Sequence, residues 1–133
     1  MIHEATTLTI SIERPWREVY EAIWRPLDFP KWASGLSAAG LQPEGELWRA
    51  RGPEGSVLIQ FTTHNAFGVM DHAVDLGGGA IVRVPMRVIP NGDGAEVLLT
   101  LYRQPGMDDE RFAADADWVR RDLRALKALL TAA

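Results

Sequence analysis

The chain has 133 residues, a net charge of −4, 47% hydrophobic and 24% charged residues, and no cysteine. The length fits one domain, residues 1–133, able to bury roughly two-thirds of its unfolded surface without metal or disulfide staples. The missing cysteines exclude disulfide scaffolds, Cys-ligated zinc, iron–sulfur clusters and thiol catalysis, and the acidic balance argues against a nucleic-acid or anionic-membrane partner.

The start, Met1-Ile2-His3-Glu4, has neither the basic nor the apolar region of a secretion signal. No run approaches the ~20 apolar residues of a membrane span. A cytoplasmic location is the expectation. Thr6 to Ile12 alternates, with Leu8, Ile10 and Ile12 on one face, and predicts a half-buried strand. Pro15 suits a first helical turn. Trp16, Val19, Tyr20, Ile23 and Trp24 then form a helical stripe that Pro26 stops. Leu27 to Trp32 reads as a second short helix or turn, and Leu36 to Leu41 as a weak edge strand.

From residue 45 the chain is a series of hairpins. Turns are expected at 52–55, 65–68, 77–79 and 91–94, where Gly, Pro, Asn and Asp cluster between runs rich in Val, Ile, Leu and Thr. A long helix from Asp108 to Leu130 closes the sequence. Asp108 is its expected N-cap, Asp109 and Glu110 suit the first turn, and basic residues enrich the second half. Its stripe is Phe112, Ala116, Val119, Leu123, Leu126 and Leu130. That spacing resembles a coiled coil, but the run is short and a helix lying across a sheet shows the same stripe.

Hairpin arithmetic assigns faces, because directly opposed residues in an antiparallel pair point the same way. The turn at 65–68 sets His64 opposite Val69, Phe61 opposite His72 and Ile59 opposite Val74. The neighbouring turns set Trp48 opposite Ile59, Glu46 opposite Phe61, Val84 opposite His72, and Met86 opposite both Met70 and Leu99. One face comes out apolar: Trp48, Ile59, Phe61, Met70, Val74, Val82, Met86, Val88, Val97 and Leu99. Only Glu46 and His72 are polar near its middle.

Several motifs are absent. There is no Gly-x-Ser-x-Gly elbow, no Gly-Lys-Ser/Thr phosphate loop, and no paired histidine spacing for a metal. No metal or cofactor is expected. Asp71-His72 is not a dyad, because neighbours on a strand point to opposite faces. His72 alone on an apolar face is more often a satisfied core histidine; the functional reading is a polar anchor in a cavity, or an acid/base. Glu46 is costly on an inner face unless paired or neutralised; the bland reading places it solvated at the open end of the sheet. Of the five tryptophans, Trp16 and Trp24 read as core, Trp118 as flanking its helix's stripe or at an interface, and Trp32 as a pocket wall. Met70 and Met86 suit either an adaptable lining or plain core filling.

The order of elements, the opening Ile10-Ser11-Ile12-Glu13-Arg14-Pro15-Trp16-Arg17-Glu18-Val19-Tyr20 and the following Phe29-Pro30-Lys31-Trp32 resemble the SRPBCC, or START-like, helix-grip superfamily. The stretches Gly68 to His72 and Val84 to Val88 are similar to those of bacterial, polyketide cyclase/dehydrase-like members. The resemblance implies an α+β fold: a curved antiparallel sheet of about six or seven strands wrapped around a long C-terminal helix, with two short helices after the first strand. It also implies an apolar cavity between sheet and helix, but carries over no catalytic residue. The expected site is therefore Trp32, Glu46, Trp48, Phe61, Met70, His72, Val84 and Met86 around a small apolar or aromatic ligand. The alternatives are a cyclase or dehydratase using His72 as acid/base, and an interaction module without a small ligand. A homo-oligomer is open but not indicated.

Overall fold

A computed structural model describes residues 1–36, 40–52 and 55–131. Strand β1 (Ala5–Ile12) alternates as expected, with Leu8 and Ile12 buried and Thr7, Thr9 and Ser11 exposed. Pro15 opens helix α1 (Trp16–Ile23), its carbonyl accepting from the Val19 N–H at 3.1 Å. Val19, Tyr20 and Ile23 form the buried face, while Trp16 and Trp24 pack on the core only partly buried. The helix ends before Arg25-Pro26, and a short 3-10 helix, Pro26–Lys31, follows with Phe29 buried. The edge strand expected over 36–41 falls partly on 37–39, outside the described residues. The strand seen here is β2 (Gln42–Glu44).

Six more strands follow: β3 (Leu47–Gly52), β4 (Gly55–Phe61), β5 (His72–Gly77), β6 (Ala80–Val84), β7 (Met86–Asn91) and β8 (Gly94–Tyr102). All pairings are antiparallel. They form two ladders, β2-β3-β4-β5-β6 and β1-β8-β7, rather than one continuous sheet. The break is Pro85. It lacks an N–H for the ladder, and its carbonyl accepts instead from the Thr100 N–H at 2.9 Å. Asp71 reinforces this corner. One carboxylate oxygen accepts from the Met86 N–H (2.8 Å) and Arg87 Nε (3.0 Å), the other from Arg87 Nη2 (2.8 Å).

The hairpin register is largely as the sequence implies. Trp48 opposes Ile59, Phe61 opposes His72, Ile59 opposes Val74, His72 opposes Val84 and Met86 opposes Leu99. Met70 donates its N–H to the Met86 carbonyl at 2.8 Å. The turn expected at 65–68 differs. The β4–β5 ladder stops at Phe61 and His72, and residues 62–71 form a longer loop. Asn65 organises it, accepting from the Phe67 and Val69 N–H groups (2.9 and 3.1 Å) and donating to the Thr63 and Val69 carbonyls (3.0 and 2.9 Å). These bonds compete with ladder pairing, as Asn side chains do in turns. His64 therefore does not oppose Val69; it meets the Glu21 carboxylate and lies against the Tyr20 and Trp24 rings.

Helix α2 (Asp109–Thr131) ends the described chain. Asp108 caps it, accepting from the Arg111 N–H at 2.8 Å. Phe112, Ala116, Leu123, Leu126 and Leu130 bury the predicted stripe, and the helix lies against β1. Burying a leucine of this kind contributes about 1.5–3 kcal/mol. Arg14 donates to the Leu130 carbonyl at 3.1 Å, tying the helix end to the β1–α1 turn.

Gly68 pins the 62–71 loop onto β7, accepting from the Val88 N–H at 2.9 Å. Its φ is +71°, and a Cβ there would lie 2.1 Å from the Val88 carbonyl oxygen. Gly68→Ala is expected to lower stability by about 2–3 kcal/mol, as chemical denaturation will show. A change below about 1 kcal/mol would mean the loop can leave β7 cheaply.

Candidate functional site

The two ladders diverge at Pro85, and α2 follows only one of them. Between α2 and the β2–β6 ladder lies a cavity of about 800 Å³, within the size range of small-molecule sites. One wall is the concave sheet face, with Val57, Ile59, Phe61, His72, Val74 and Val84. A second is the 3-10 helix and the turn after it, with Phe29, Trp32 and Leu36. The third comprises Leu101, Tyr102, the 104–108 loop, and the α2 residues Arg111, Asp115, Trp118, Val119 and Asp122. A second cleft, of about 440 Å³, lies over the 91–95 turn and Ser11–Glu13, away from this face.

Of the residues expected at the site, Trp32, Phe61, His72 and Val84 line the cavity. Four do not. Met70 and Met86 are 3% and 0% exposed and belong to the main core. They sit at the corner beside Pro85, where the β1-β8-β7 ladder and the helices close over the sheet face. Trp48 packs instead in a separate small cluster with Leu41, Ala50 and Ile59. Glu46 is exposed just after Gly45, between β2 and β3. The β3–β4 ladder begins at Trp48, so the pairing that would have placed Glu46 opposite Phe61 does not form. Solvation relieves the burial cost that made Glu46 conspicuous.

The helix wall is the larger omission from the expected site. Arg111, Asp115, Trp118 and Asp122 repeat at 4, 3, 4, one position ahead of the buried stripe. A helix offers two adjacent stripes at that offset. Val119, counted with the core stripe, is the member left partly exposed, and it lines the cavity. Phe29, two residues after Leu27 in the expected short helix, is the hub of the aromatic wall. Its ring lies 4.6 Å from Phe61, 5.3 Å from Trp32 and 5.4 Å from His72, centroid to centroid.

His72 is the polar group deepest in this aromatic wall. Nδ1 lies 3.1 Å from the Met70 carbonyl. A carbonyl only accepts, so Nδ1 carries the proton. Burial lowers the imidazole pKa below its usual value, outweighing the Met70 carbonyl and the Asp71 charge. The ring is therefore neutral near pH 7 and Nε2 presents a lone pair. Among the described residues no group bonds Nε2, and the ring borders the cavity; the indole nitrogens of Trp24 and Trp32 are buried and likewise unpartnered. Asp71, on the opposite face, does not share a hydrogen bond with His72. Its pKa is lowered, chiefly by the Arg87 hydrogen bonds.

Asp122 bridges two walls, accepting from Ser34 Oγ at 2.7 Å and from the Ser34 N–H at 3.3 Å. This fastens the turn after the 3-10 helix to α2 across the cavity. Burial raises the Asp122 pKa, against the lowering effect of the Ser34 bonds and the Arg121 charge. Arg111 and Asp115 form an ion pair at 3.1 Å on the same wall. Among the described residues, no group of three His, Asp or Glu side chains could hold a metal, and no helix is long and apolar enough to cross a membrane.

No protein-family model matches the chain, and no curated protein matches it in sequence. Solved structures match over nearly its whole length. A START superfamily protein from Mycobacterium smegmatis is similar at a TM-score of 0.70 and 10% identity, over 93% of this chain and 94% of that one. The Aha1 dimer from Colwellia psychrerythraea is similar at 0.70 and 14%, over 97% of each. DynU16, a protein of the dynemicin biosynthetic locus, is similar at 0.66 and 19%, over 96% of this chain and 47% of that one. Identities this low establish the fold and nothing finer. The fold is START-like: antiparallel strands gripping a long C-terminal helix.

The raised Asp122 pKa has a signed consequence. The unfolded carboxyl ionises near 3.8, earlier than the folded one, so ionisation opposes folding as pH rises through the folded pKa. Asp122→Asn keeps an oxygen for Ser34 and removes that charge. It is expected to match or exceed the parent's melting temperature at pH 7, with any advantage vanishing below about pH 3.8. A variant less stable at pH 7 would show that the Ser34 bonds need the charged carboxylate.

Proposed function

We propose that this START-like helix-grip chain binds a small apolar or aromatic molecule in the cavity between α2 and the β2–β6 ladder. One observation carries the reading: about 800 Å³ is left open beside a core of closely buried side chains. An interior of this kind normally packs with few voids larger than a water molecule. Leaving its apolar walls unfilled forgoes contacts that side chains of ordinary size would supply. The walls are mainly aliphatic and aromatic, with a few polar groups, which is the usual make-up of a small-molecule site. Trp32, Phe61, His72 and Val84 belong to it, together with Phe29, Trp118 and Val119. The partner is a small hydrophobic molecule, and one domain, residues 1–133, suffices to hold it. An interaction module without a ligand would more naturally close this space with its own side chains.

A second reading, a cyclase or dehydratase-type reaction in the same cavity, has one observation in its favour. His72 lines the cavity with Nδ1 bonded to the Met70 carbonyl, which leaves Nε2 as a candidate base. The two readings separate on whether the bound molecule changes chemically with time.

Native mass spectra of freshly purified protein, beside denatured spectra of the same sample, test for a resident molecule. Titration with the neutral dye Nile red tests the cavity itself. Val119→Trp puts an indole into the ligand space from a partly exposed helix position. It is expected to weaken dye binding at least tenfold, about 1.4 kcal/mol, with a melting temperature within about 3 °C of the parent. Dye binding that survives Val119→Trp unchanged would place the ligand elsewhere.

A further inference from the structure

We infer that the cavity selects neutral ligands that carry a hydrogen-bond donor, an alcohol or phenol hydroxyl, at the end that reaches His72, and discriminates against carboxylates. The inference rests on the binding reading above and specifies the class of molecule bound.

The hydrogen-bond count at His72 sets the polarity of the site. Nδ1 is committed to the Met70 carbonyl at 3.1 Å, which fixes the tautomer. The rings of Phe29 and Phe61, at centroid distances of 5.4 and 5.9 Å, hold the imidazole in place. Turning the ring over to present a donor would break the Met70 bond inside an aromatic wall. The cavity therefore meets a fixed acceptor. A ligand hydroxyl satisfies it. An ether or ketone oxygen leaves two lone pairs facing each other, and a carboxylate adds a desolvated charge.

The charged liners point the same way, while Ser56, Tyr102 and Gln104 are neutral. Among the described residues, Asp108, Asp115 and Asp122 line the cavity with a single arginine, Arg111, and that arginine is ion-paired with Asp115. Carboxyl groups outnumber cations three to one. Among the described residues, no lysine and no histidine other than His72 is a liner. An anionic ligand thus meets an acceptor at His72 and no surplus cation along the helix wall. An apolar body with one hydroxyl fits both the walls and the acceptor. A donor-specific site rejects the analogue lacking the donor more strongly than an apolar pocket rejects a methylene.

The test uses three probes of one ring system on the full chain: 2-naphthol, 2-methoxynaphthalene and 2-naphthoate, each displacing Nile red at pH 7.5. The naphthol is expected to displace the dye at about fivefold lower concentration than its methyl ether, the worth of one ordinary buried hydrogen bond. The naphthoate is expected to be the weakest of the three. His72→Phe should erase the naphthol preference, read as the ratio of naphthol to ether displacement within the variant. The parent protein alone also decides, should that variant fold poorly: the His72 Nε2 nitrogen resonance should move with the naphthol and not with the ether. Dye binding with equal affinity for naphthol and ether, or with naphthoate tightest, overturns the inference and leaves the binding reading standing. A preference that persists in His72→Phe also overturns it. Absence of dye binding overturns both.

Discussion

One apolar stripe on one helix can be covered by one sheet layer. Everything else in this molecule follows from how that cover is assigned. The stripe of α2 from Phe112 to Leu130 lies on the β1 side, and the main core grows there, joined by Val19, Ile23, Met86, Val88 and Val97. The other five strands have no helix face left to cover. Their concave side faces α2 across open space, and the residues there remain partly exposed: Val57, Phe61, His72, Val74 and Val84. The cavity is thus the geometric remainder of a helix too narrow to fill the grip.

The separation needs a device to turn the sheet, and the chain uses Pro85 with Asp71 and Arg87. Proline breaks the ladder. Asp71 then occupies the Met86 N–H and holds Arg87 by two bonds at the first positions of the new strand. This explains why Asp71 and His72, adjacent in sequence, belong to different tasks. Asp71 fixes the corner on the outer face, and His72 faces the space that the corner opens.

Much of this was legible in the residues. Alternation and turn chemistry gave the strands, and hairpin arithmetic gave the register from Trp48 to Val84, because a one-residue slip would have reversed every apolar face. The same arithmetic fails at His64, where Asn65 side-chain bonds outcompete the ladder, and at Glu46, where the ladder ends before reaching it. It also cannot divide one apolar face into core and cavity. Met86 and Val84 lie two residues apart on that face, yet Met86 is sealed and Val84 lines the cavity. Only the break at Pro85 distinguishes them, and a pattern of hydrophobicity contains no term for the bend. The helix wall escapes a reading that treats the stripe as a single line, although its neighbour at Arg111, Asp115, Trp118 and Asp122 is written at the same spacing.

The division of α2 into two stripes has an evolutionary consequence. Leu123 and Leu126 answer for folding, while Trp118, Val119 and Asp122, on the proposed binding reading, answer for what is held. Mutations in the wall stripe can therefore be sampled without crossing a stability threshold. On that reading the scaffold is able to change what it holds while keeping its shape. A similar architecture over more than nine-tenths of a chain at 10% identity shows how much sequence change the shape itself tolerates.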